Sequence, residues 1–368
     1  MRVAINAVSI GERYTGIGTY ICGLIACITD LGHEAIVYCS SKCISSEPGV
    51  QIVRTSPSLA ADHGTSAAVE RFVWANTALP LRLKRDRANI LISPSVEGSL
   101  RCPIPQILIV HDLIPLFYPS EAPRLHLYYK RVLPRLLQRV SAVIAVSEHT
   151  GNDLIREFGL PPEQVHVIYN GLHSPQADTA IDHKPDGLQS GTFFLFVGTY
   201  APRKNLQTLV LALAKVRGEI SESLVIVSYP DKWRGSILQL IADCDLSERV
   251  TILSGLHQDE MNYLYRRATA LFLLSEYEGF GYPPMEAMLR GTPAVVSDST
   301  SLAEVTGDAA VRVDARDIDA AAAAMLQLAR DPAYRQTLGE SGTDRARQFT
   351  WARAGIELNR VLSRAVER

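Results

Sequence analysis

The sequence predicts an α/β protein built from two doubly wound parallel-sheet domains, and three observations support this fold class. The chain has 368 residues, and since a domain usually takes about 100–200 residues, the length favours two domains. Short apolar runs alternate with amphipathic stretches, which is typical of strands and helices in a parallel sheet. The alternation stops over residues 170–191, where prolines, glycines and scattered polar residues predict an interdomain linker.

The part of the chain before the linker predicts six strands, with helices between several of them. Each predicted strand is a short run dominated by aliphatic residues, and each predicted helix repeats apolar residues every three or four positions. The predicted strands are Arg2–Val8, Glu34–Cys39, Ile90–Ile92, Gln106–Val110, Ala142–Val146 and Val165–Ile168. The predicted helices are Gly18–Leu31, Ala67–Lys84, Pro123–Gln138 and His149–Phe158.

The part after the linker repeats the pattern. The predicted strands are Phe193–Val197, Leu224–Ser228, Val250–Leu253, Leu271–Leu274, Ala294–Ser297 and Ala310–Val313. The predicted helices are Leu206–Arg217, Gly235–Cys244, Asp259–Arg267, Pro284–Leu289, Asp317–Arg330, Tyr334–Gln348 and a last helix from Thr350 to about Ala365. We therefore predict one domain over residues 1–175 and a second over residues 190–349. Ligands of such sheets bind at the carboxyl ends of the strands, and we expect those ends to face each other across a cleft.

The composition excludes several classes of protein. Hydrophobic residues make up 47% of the chain and charged residues 21%, which excludes disordered and collagen-like chains. Lysine and arginine number 37 against 39 aspartate and glutamate, and this near-neutral balance argues against a nucleic-acid-binding protein. One local run departs from the balance, because residues 124–139 place five arginine and lysine side chains among leucines and tyrosines. This run suits an anionic membrane surface, and it equally suits the solvated face of an ordinary helix.

The start of the chain and the cysteines predict a cytoplasmic protein. Met1–Asn6 indicates a buried strand and not a secretory leader. None of the six cysteines belongs to a Cys-x-x-Cys pair, which fits a reducing compartment. Two Asp-x-Asp strings, Asp243–Asp245 and Asp317–Asp319, close and open predicted helices, so we expect neither to bind a metal.

A glycine-containing segment follows the first strand. Tyr14–Tyr20 contains Gly16 and Gly18, which allow the backbone to approach a phosphate or a sugar at the start of a helix. Ile21 stands where a dinucleotide fingerprint needs its third glycine. A purely structural turn is the alternative interpretation.

The pair His111-Asp112 comes directly after the predicted strand Gln106–Val110. A polar pair at the carboxyl end of a buried strand lies where ligands bind, and His111 can orient or deprotonate a hydroxyl group there. The alternative is a helix-capping aspartate beside a histidine that only satisfies its own hydrogen bonds.

The segment Gly198–Asn205 follows the first strand of the second domain and contains Pro202, Arg203 and Lys204. Proline fits the start of a helix, which puts both cations in the first turn. Positive charge is unfavourable at a helix N-terminus. A bound anion would offset that cost, and a diphosphate is the natural candidate. A surface pair of charges is the alternative.

The strongest motif follows the strand Leu271–Leu274 and contains two glutamates, Glu278 and Glu286, with seven residues between them. The glycines at 279 and 281 allow the backbone to pack against a ligand, and their amides can donate hydrogen bonds to it. Two prolines then start a helix that carries the second glutamate. Carboxylates are natural acceptors for vicinal sugar hydroxyls.

With these residues in view, the sequence resembles the retaining glycosyltransferases of family 4, which have the GT-B fold. The resemblance covers nearly the whole chain, and its most specific element is the glutamate pair within Glu-Gly-Phe-Gly-Tyr-Pro-Pro-Met-Glu. The Gly-Ile-Gly segment, His111-Asp112 and Pro202–Asn205 follow in the family's order. The last helix resembles the one that crosses back to the first domain, so residues 350–368 are assigned to that domain.

The resemblance implies a role for each motif residue. Arg203 and Lys204 would bind the donor diphosphate and stabilise charge on the leaving group, Glu286 would hold the ribose hydroxyls, and Leu256 would lie near the base. Glu278 would hold the donor sugar. The residues whose backbone amides would assist Glu278 are Phe280, Gly281 and Tyr282.

In the first domain, the resemblance places His111 near the reacting centre and lets Gly16 and Gly18 approach the phosphates or the acceptor. No cofactor and no metal are expected. The product would keep the donor's anomeric configuration. A front-side attack, with the departing phosphate taking the acceptor proton, suits the sequence, and Glu278 as a nucleophile is the alternative.

Two strings look most like bacterial mannosyl- and deoxymannosyl-transferases that build O-antigen or exopolysaccharide from GDP-sugars: His111–Pro115, and Val197–Thr199 with Pro202–Asn205. We therefore expect a GDP-mannose-like donor, GDP-D-rhamnose included, and a saccharide or lipid-linked saccharide acceptor. The basic run 124–139 would then sit peripherally on the inner membrane surface.

Three alternatives stay open at this point. They are a transferase with a UDP-glucose-like donor, a sugar-nucleotide epimerase of the same fold, and a non-catalytic sugar-nucleotide-binding protein. A nicotinamide oxidoreductase is disfavoured by the missing third glycine.

Overall fold

A computed structural model describes residues 1–11, 16–40, 44, 47–60, 64–173 and 183–367. The chain divides into two compact units, Met1–His173 with Phe349–Arg368, and Ser174–Gln348. The predicted linker 170–191 lies partly outside the described residues. Its described end belongs to the second unit, and Leu188 is buried there, so the second unit begins earlier than residue 190.

The N-terminal unit contains a seven-stranded, all-parallel sheet in the order β3-β2-β1-β4-β5-β6-β7. Its strands are β1 (Arg2–Ala7), β2 (Glu34–Cys39), β3 (Val50–Arg54), β4 (Ile90–Ser93), β5 (Gln106–Val110), β6 (Ala142–Ala145) and β7 (Val165–Val167). The sequence reasoning missed β3. This strand lies at the sheet edge and is only half-buried, so it lacks the continuous apolar run of the central strands.

Eight helices belong to this unit, in the part of the chain that the structure describes. They are α1 (Gly16–Asp30), α2 (Gly64–Asn76), α3 (Ala78–Arg85), α4 (Ile114–Phe117), α5 (Pro123–Arg131), α6 (Leu133–Leu137), α7 (Glu148–Phe158) and α15 (Trp351–Glu367). Two predicted helices each divide into two, 67–84 at Thr77 and 123–138 at Val132. At the second division Pro134 supplies no N–H for the helical ladder, so a new helix begins around it.

The second unit contains a six-stranded parallel sheet in the order β10-β9-β8-β11-β12-β13. Its strands are β8 (Phe193–Val197), β9 (Ser223–Val227), β10 (Val250–Leu253), β11 (Ala270–Leu273), β12 (Ala294–Ser297) and β13 (Val311–Val313). Its helices are α8 (Leu206–Val216), α9 (Arg234–Asp243), α10 (Gln258–Arg267), α11 (Tyr282–Met288), α12 (Thr300–Thr306), α13 (Ile318–Arg330) and α14 (Pro332–Ala346).

The predicted fold class, two doubly wound parallel sheets, is confirmed. The central strands β4, β5, β6 and β11 are buried along their whole length, because helices cover both faces of such a sheet. Their aliphatic side chains form the core, and burial of this apolar surface is the main favourable contribution to folding.

The last helix, α15, packs on α1 within the N-terminal unit. The Trp351 indole sits in a slot that two glycines leave open. A Cβ added at Gly23 would lie 2.0 Å from Trp351 Cε2, and one added at Gly171 would lie 2.5 Å from Trp351 Cγ. One turn along, Gly355 brings α15 against Cys27 Sγ in the same way. Small residues at these positions therefore set how closely the chain end approaches α1.

Candidate active site

The strand order places a ligand site in each unit. In an open α/β sheet, ligands bind outside the carboxyl ends of the strands, at the point where the strand order reverses. That point lies between β8 and β11 in the second unit and between β1 and β4 in the N-terminal unit. Arg203 and Lys204 follow β8, and Glu278 follows β11, so these predicted site residues flank the reversal point of the second sheet.

The three side chains form one buried ionic cluster. Lys204 Nζ lies 2.5 Å from Glu278 Oε1, and Arg203 Nη1 lies 3.5 Å from the same oxygen. Arg203 also donates a 2.6 Å hydrogen bond to the Tyr277 carbonyl oxygen. Arg203 is 6% exposed and Glu278 is 8% exposed. Two cations and one carboxylate leave an excess of positive charge at a site shielded from water, which suits an anionic ligand.

Glu278 is held in its charged form. Burial alone would raise the pKa of this carboxyl, but the positive charges of Lys204 and Arg203, together with the Lys204 hydrogen bond, lower it below its usual value. An ionised carboxylate accepts hydrogen bonds and donates none. Glu278 is therefore equipped to accept hydrogen bonds from ligand hydroxyls and has no proton to supply as an acid.

The backbone that carries the two cations differs from the predicted helix start. Pro202–Lys204 forms a single 3₁₀ turn, and Asn205 follows in the left-handed conformation with φ +52° before α8 begins. Arg203 and Lys204 therefore precede the α-helix and do not lie in its first turn, which corrects the prediction. Pro202 rules out continuation of a helix through this point, and asparagine tolerates the left-handed conformation.

Asn205 is a site residue that the sequence reasoning did not single out as functional. Its amide donates to the Leu274 carbonyl oxygen at 3.2 Å and to that of Ala315, while its own oxygen accepts from Thr208 at 2.8 Å. The cation-bearing turn is thereby tied to the loops after β11 and β13. An asparagine directly after two cations, in a position that ends a turn, is the signal that could have identified it.

Glu286 lies in α11 and belongs to a second polar network. The Tyr265 hydroxyl donates a 2.7 Å hydrogen bond to Glu286 Oε2, and the Arg290 guanidinium lies 5.3 Å from the centre of the Tyr265 ring. Burial raises the pKa of Tyr265, and the adjacent Glu286 raises it further. Tyr265 thus stays protonated and fixes one carboxylate oxygen. The sequence reasoning missed this residue because nothing local links α10 to α11.

The remaining predicted donor-site residues of this unit lie around the same strand ends. Gly281 has φ +96°, and a Cβ added there would lie 2.4 Å from Leu302 Cδ2, so both conformation and space favour glycine. Phe280 is buried and packs edge-on against Tyr282 with ring centres 5.3 Å apart. Leu256 is half-buried on the loop after β10.

In the N-terminal unit His111 follows β5, and it is fixed on two sides. Its Nε2 lies 2.9 Å from the Pro94 carbonyl oxygen, and its ring packs edge-on against Tyr20 with centres 4.7 Å apart. Because a carbonyl oxygen can only accept, Nε2 carries the proton and Nδ1 keeps its lone pair. Burial lowers the pKa of His111 to about 4, against the Pro94 hydrogen bond that acts to raise it. The imidazole is therefore neutral near pH 7 and can accept a hydrogen bond from a hydroxyl. Asp112 Oδ1 accepts from the Ile114 N–H at 2.9 Å, just before α4, whose N-cap residue is Leu113.

Gly16 and Gly18 lie in the first turn of α1, which begins two residues before the predicted helix start at Gly18. Tyr14 and Thr15, the start of the predicted segment, lie outside the described residues. A glycine costs a helix about 1 kcal/mol relative to alanine. The buried apolar face of α1, which includes Ile21 and Leu24, outweighs that cost.

Other features bear on metal and membrane binding. Within the described ranges, no group of three or more His, Cys, Asp or Glu side chains could hold a metal ion. Asp317 Oδ1 accepts from the Ala320 N–H at 2.9 Å and so caps α13.

The five cationic residues of 124–139 are all exposed on α5, on α6 or just after them. No helix in the part of the chain that the structure describes is long and apolar enough to cross a membrane.

Family models match both halves of the chain. Residues 14–174 match a model described as Glycosyltransferase Family 4, and residues 178–345 match one described as Glycosyl transferases group 1. The two matches meet close to the boundary between the two structural units.

Curated relatives carry transferase names. The O-antigen chain mannosyltransferase RfbU of Salmonella typhimurium is 26% identical over 320 residues, which cover 85% of this chain and 87% of that protein. The O-antigen chain mannosyltransferase B of Escherichia coli is 30% identical over 254 residues, covering 66% of this chain and 65% of that protein. The MMP alpha-(1->4)-mannosyltransferase of Mycolicibacterium hassiacum is 29% identical, covering 64% of this chain and 56% of that protein.

Solved structures share the fold at low sequence identity. The catalytic domain of starch synthase IV from Arabidopsis thaliana superposes with a TM-score of 0.78 at 13% identity, covering 100% of this chain and 99% of that chain. Sucrose-phosphate synthase from Thermosynechococcus elongatus gives a TM-score of 0.75 at 20% identity, with 98% of both chains covered. At these identities the likeness shows a shared architecture.

Proposed function

The chain belongs to glycosyltransferase family 4, and from that premise we propose that it transfers a mannose-type hexose from a nucleoside-diphosphate sugar to a saccharide. The family matches confirm the predicted glycosyltransferase, and the solved structures share its fold. The protein is thus a glycosyltransferase. Its donor, its acceptor and its stereochemistry are the proposed part.

The observation that carries the proposal is the cluster of Lys204, Arg203 and Glu278 at the reversal point of the second sheet. A diphosphate leaving group gains negative charge as the bond to the sugar breaks, and cations already in place stabilise that charge in the transition state. The ionised Glu278 beside them suits the sugar, because it can accept hydrogen bonds from hydroxyl groups. One cluster thus offers complementary groups for both parts of a sugar nucleotide.

The relatives support the choice of sugar and acceptor. Two of them are named as O-antigen chain mannosyltransferases and a third as an alpha-(1->4)-mannosyltransferase. We therefore propose GDP-mannose, or a GDP-linked deoxymannose such as GDP-D-rhamnose, as the donor. The acceptor is a saccharide or lipid-linked saccharide bound by the N-terminal unit.

The reaction in this proposal retains the anomeric configuration and uses no metal ion and no cofactor. Lys204 and Arg203 take the electrostatic role that a metal would otherwise play at the diphosphate. The departing phosphate removes the acceptor proton, since Glu278 already shares its charge with two cations. His111 contributes a neutral hydrogen-bond acceptor near the sugar.

A peripheral membrane contact belongs to the same proposal. The exposed cations of 124–139 accompany two exposed leucines of α5, Leu125 at 37% and Leu127 at 53%. Exposed cations beside exposed apolar side chains suit an anionic lipid surface. Sedimentation with vesicles of anionic and of neutral lipids tests this, and equal binding to both would contradict it.

The nucleotide is tested by thermal shift across GDP, UDP, ADP and dTDP, because a ligand stabilises the folded state by mass action. We expect GDP to raise the melting temperature most, and Lys204→Ala to abolish that rise. Lys215→Ala is the matched control, since Lys215 pairs with Asp319 on the surface of the same unit. Unfolding without ligand must be recorded too, because Lys204→Ala removes one partner of a buried ion pair, which costs about 3–5 kcal/mol. A full GDP response in Lys204→Ala would contradict the diphosphate role.

The reaction is tested with GDP-mannose in the presence and absence of saccharide acceptors, followed by NMR of the product. An α-linked product supports a retaining transferase, and a β-linked product contradicts retention. An altered sugar nucleotide formed from the donor alone would indicate an epimerase. Donor binding without turnover across the acceptors would indicate a binding protein.

A further inference from the structure

We propose that Glu97, Arg71 and Asn6 form the subsite of the N-terminal unit that holds the acceptor saccharide. This inference rests on the proposed transferase function and assigns it residues that no motif marked. Asn6 lies at the carboxyl end of β1 and Glu97 in the loop after β4, while Arg71 reaches Glu97 from α2. The strand order of the N-terminal sheet reverses between these two strands, and ligands of open α/β sheets bind at such a point.

Asn6 is the first indication of a ligand. It is 4% exposed at the end of β1, and its amide donates a 2.9 Å hydrogen bond to the Glu97 carbonyl oxygen. Its own oxygen, Oδ1, is buried and accepts no hydrogen bond from any residue that the structure describes. A buried acceptor without a partner is costly. A hydroxyl group of a bound molecule would satisfy it.

Glu97 and Arg71 supply complementary groups beside it. Arg71 Nε lies 2.7 Å from Glu97 Oε2, and Arg71 Nη1 donates to the Leu59 carbonyl oxygen at 3.2 Å. Across the described ranges, Glu97 Oε1 and Arg71 Nη2 take part in no further hydrogen bond. The Glu97 side chain is 20% exposed, so a ligand can reach it. The pair thus presents one acceptor and one donor, both held in place by other bonds.

One hydrogen-bond acceptor beside one donor indicates which class of ligand fits this subsite. A hydroxyl group both donates and accepts, so vicinal hydroxyls can donate to Glu97 and accept from Arg71. A phosphate only accepts, and the Glu97 carboxylate would repel it. A neutral, polyhydroxylated molecule fits, and that is the chemistry of a saccharide acceptor.

The loop after β4 links this pair to the residue placed near the reacting centre. His111 donates to the Pro94 carbonyl oxygen, and Glu97 stands only three positions after Pro94. Three residues span at most about 11 Å when fully extended. The Glu97 backbone therefore lies within about 11 Å of the Pro94 backbone that His111 contacts.

An aromatic side chain borders the same loop. The Tyr128 hydroxyl donates a 2.8 Å hydrogen bond to the Val96 carbonyl oxygen, and its ring packs edge-on against Phe72 with centres 6.5 Å apart. Phe72 follows Arg71 in α2 and is 37% exposed. An exposed ring beside polar groups offers the apolar surface on which the C–H face of a sugar packs.

The test is Glu97→Gln, which keeps the shape of the side chain and removes its charge. The matched control is Glu34→Gln, because Glu34 pairs with Arg2 at the opposite, amino end of the same sheet. Saturation-transfer NMR with the methyl α-glycosides of mannose, glucose, galactose, N-acetylglucosamine and rhamnose measures acceptor binding. We expect wild type and Glu34→Gln to bind at least one of them equally, and Glu97→Gln to bind it at least tenfold more weakly.

Two further measurements separate a failure of this inference from a failure of the proposed function. The GDP thermal shift should be the same in Glu97→Gln as in wild type, since the donor residues lie in the other unit. A lower melting temperature of Glu97→Gln with unchanged glycoside affinity would show a structural ion pair and overturn the inference. Absence of binding by wild type to all five glycosides would overturn it as well. Loss of the GDP response in wild type would instead count against the proposed function.

Discussion

The burial of His111 predicts a pH dependence of stability, and its magnitude follows from the lowered pKa of this residue. Its Nε2–H is bonded to the Pro94 carbonyl oxygen and its ring is packed against Tyr20. Burial lowers its pKa to about 4, whereas an unfolded chain has a histidine pKa of about 6.5. Between these values the unfolded state binds more protons than the native state. The free energy of unfolding therefore carries no penalty from His111 above about pH 6.5, and it decreases as the pH falls from there towards about 4.

The perturbation is His111→Gln, whose amide can still donate to the Pro94 carbonyl oxygen and does not titrate. From the two pKa values, wild type should lose about 2 kcal/mol relative to the variant on going from about pH 7.5 to about pH 5. Urea unfolding of both proteins at the two pH values measures this difference. The comparison between proteins cancels the other groups that titrate in this range.

Nitrogen-15 NMR of the histidine rings measures the protonation state of His111 directly. The signal that is missing from the His111→Gln variant belongs to this residue. We expect His111 to stay neutral down to about pH 5, with the proton on Nε2 and the lone pair on Nδ1. A signal that titrates near pH 6.5, or a pH dependence of stability equal to that of the variant, would refute the reasoning. The neutral state matters for function, because it lets Nδ1 accept a hydrogen bond from a substrate hydroxyl.

Two further predictions concern residues that position others. Tyr265→Phe removes the hydroxyl that fixes Glu286. We expect GDP affinity, measured by titration calorimetry, to fall about tenfold to a hundredfold, since a hydrogen bond to a charged group contributes about 1.5–3 kcal/mol. Unchanged affinity would contradict the assignment of Glu286 to the ribose. Gly23→Ala places a Cβ inside the Trp351 indole and should cost about 1–3 kcal/mol or more by overpacking. Gly218→Ala, which meets no atom within 4 Å, is its control, and equal melting temperatures for the two would contradict the packing argument.

Most strands and helices were predictable, because each has its own local pattern of apolar residues. The strand Gln106–Val110 is an apolar run buried on both faces, and its predicted bounds match those of β5. The edge strand Val50–Arg54 has no such run, since one side of it meets solvent. Helix ends were less predictable. The turn at Pro202–Lys204 and the start of α1 at Gly16 depend on tertiary packing, which can override the local preference of a residue.

The sequence by itself determined the two-domain α/β architecture and the order of the motifs, because apolar periodicity and glycine or proline positions are local properties. It also identified Arg203, Lys204 and Glu278 as candidate catalytic and donor-binding residues. Only the tertiary structure decided that these three meet in one buried cluster, and that Tyr265 fixes Glu286 and Asn6 contacts Glu97. Such partners come from strands and loops far apart in the chain, and hydrogen bonds between them leave no periodic pattern from which they could be inferred.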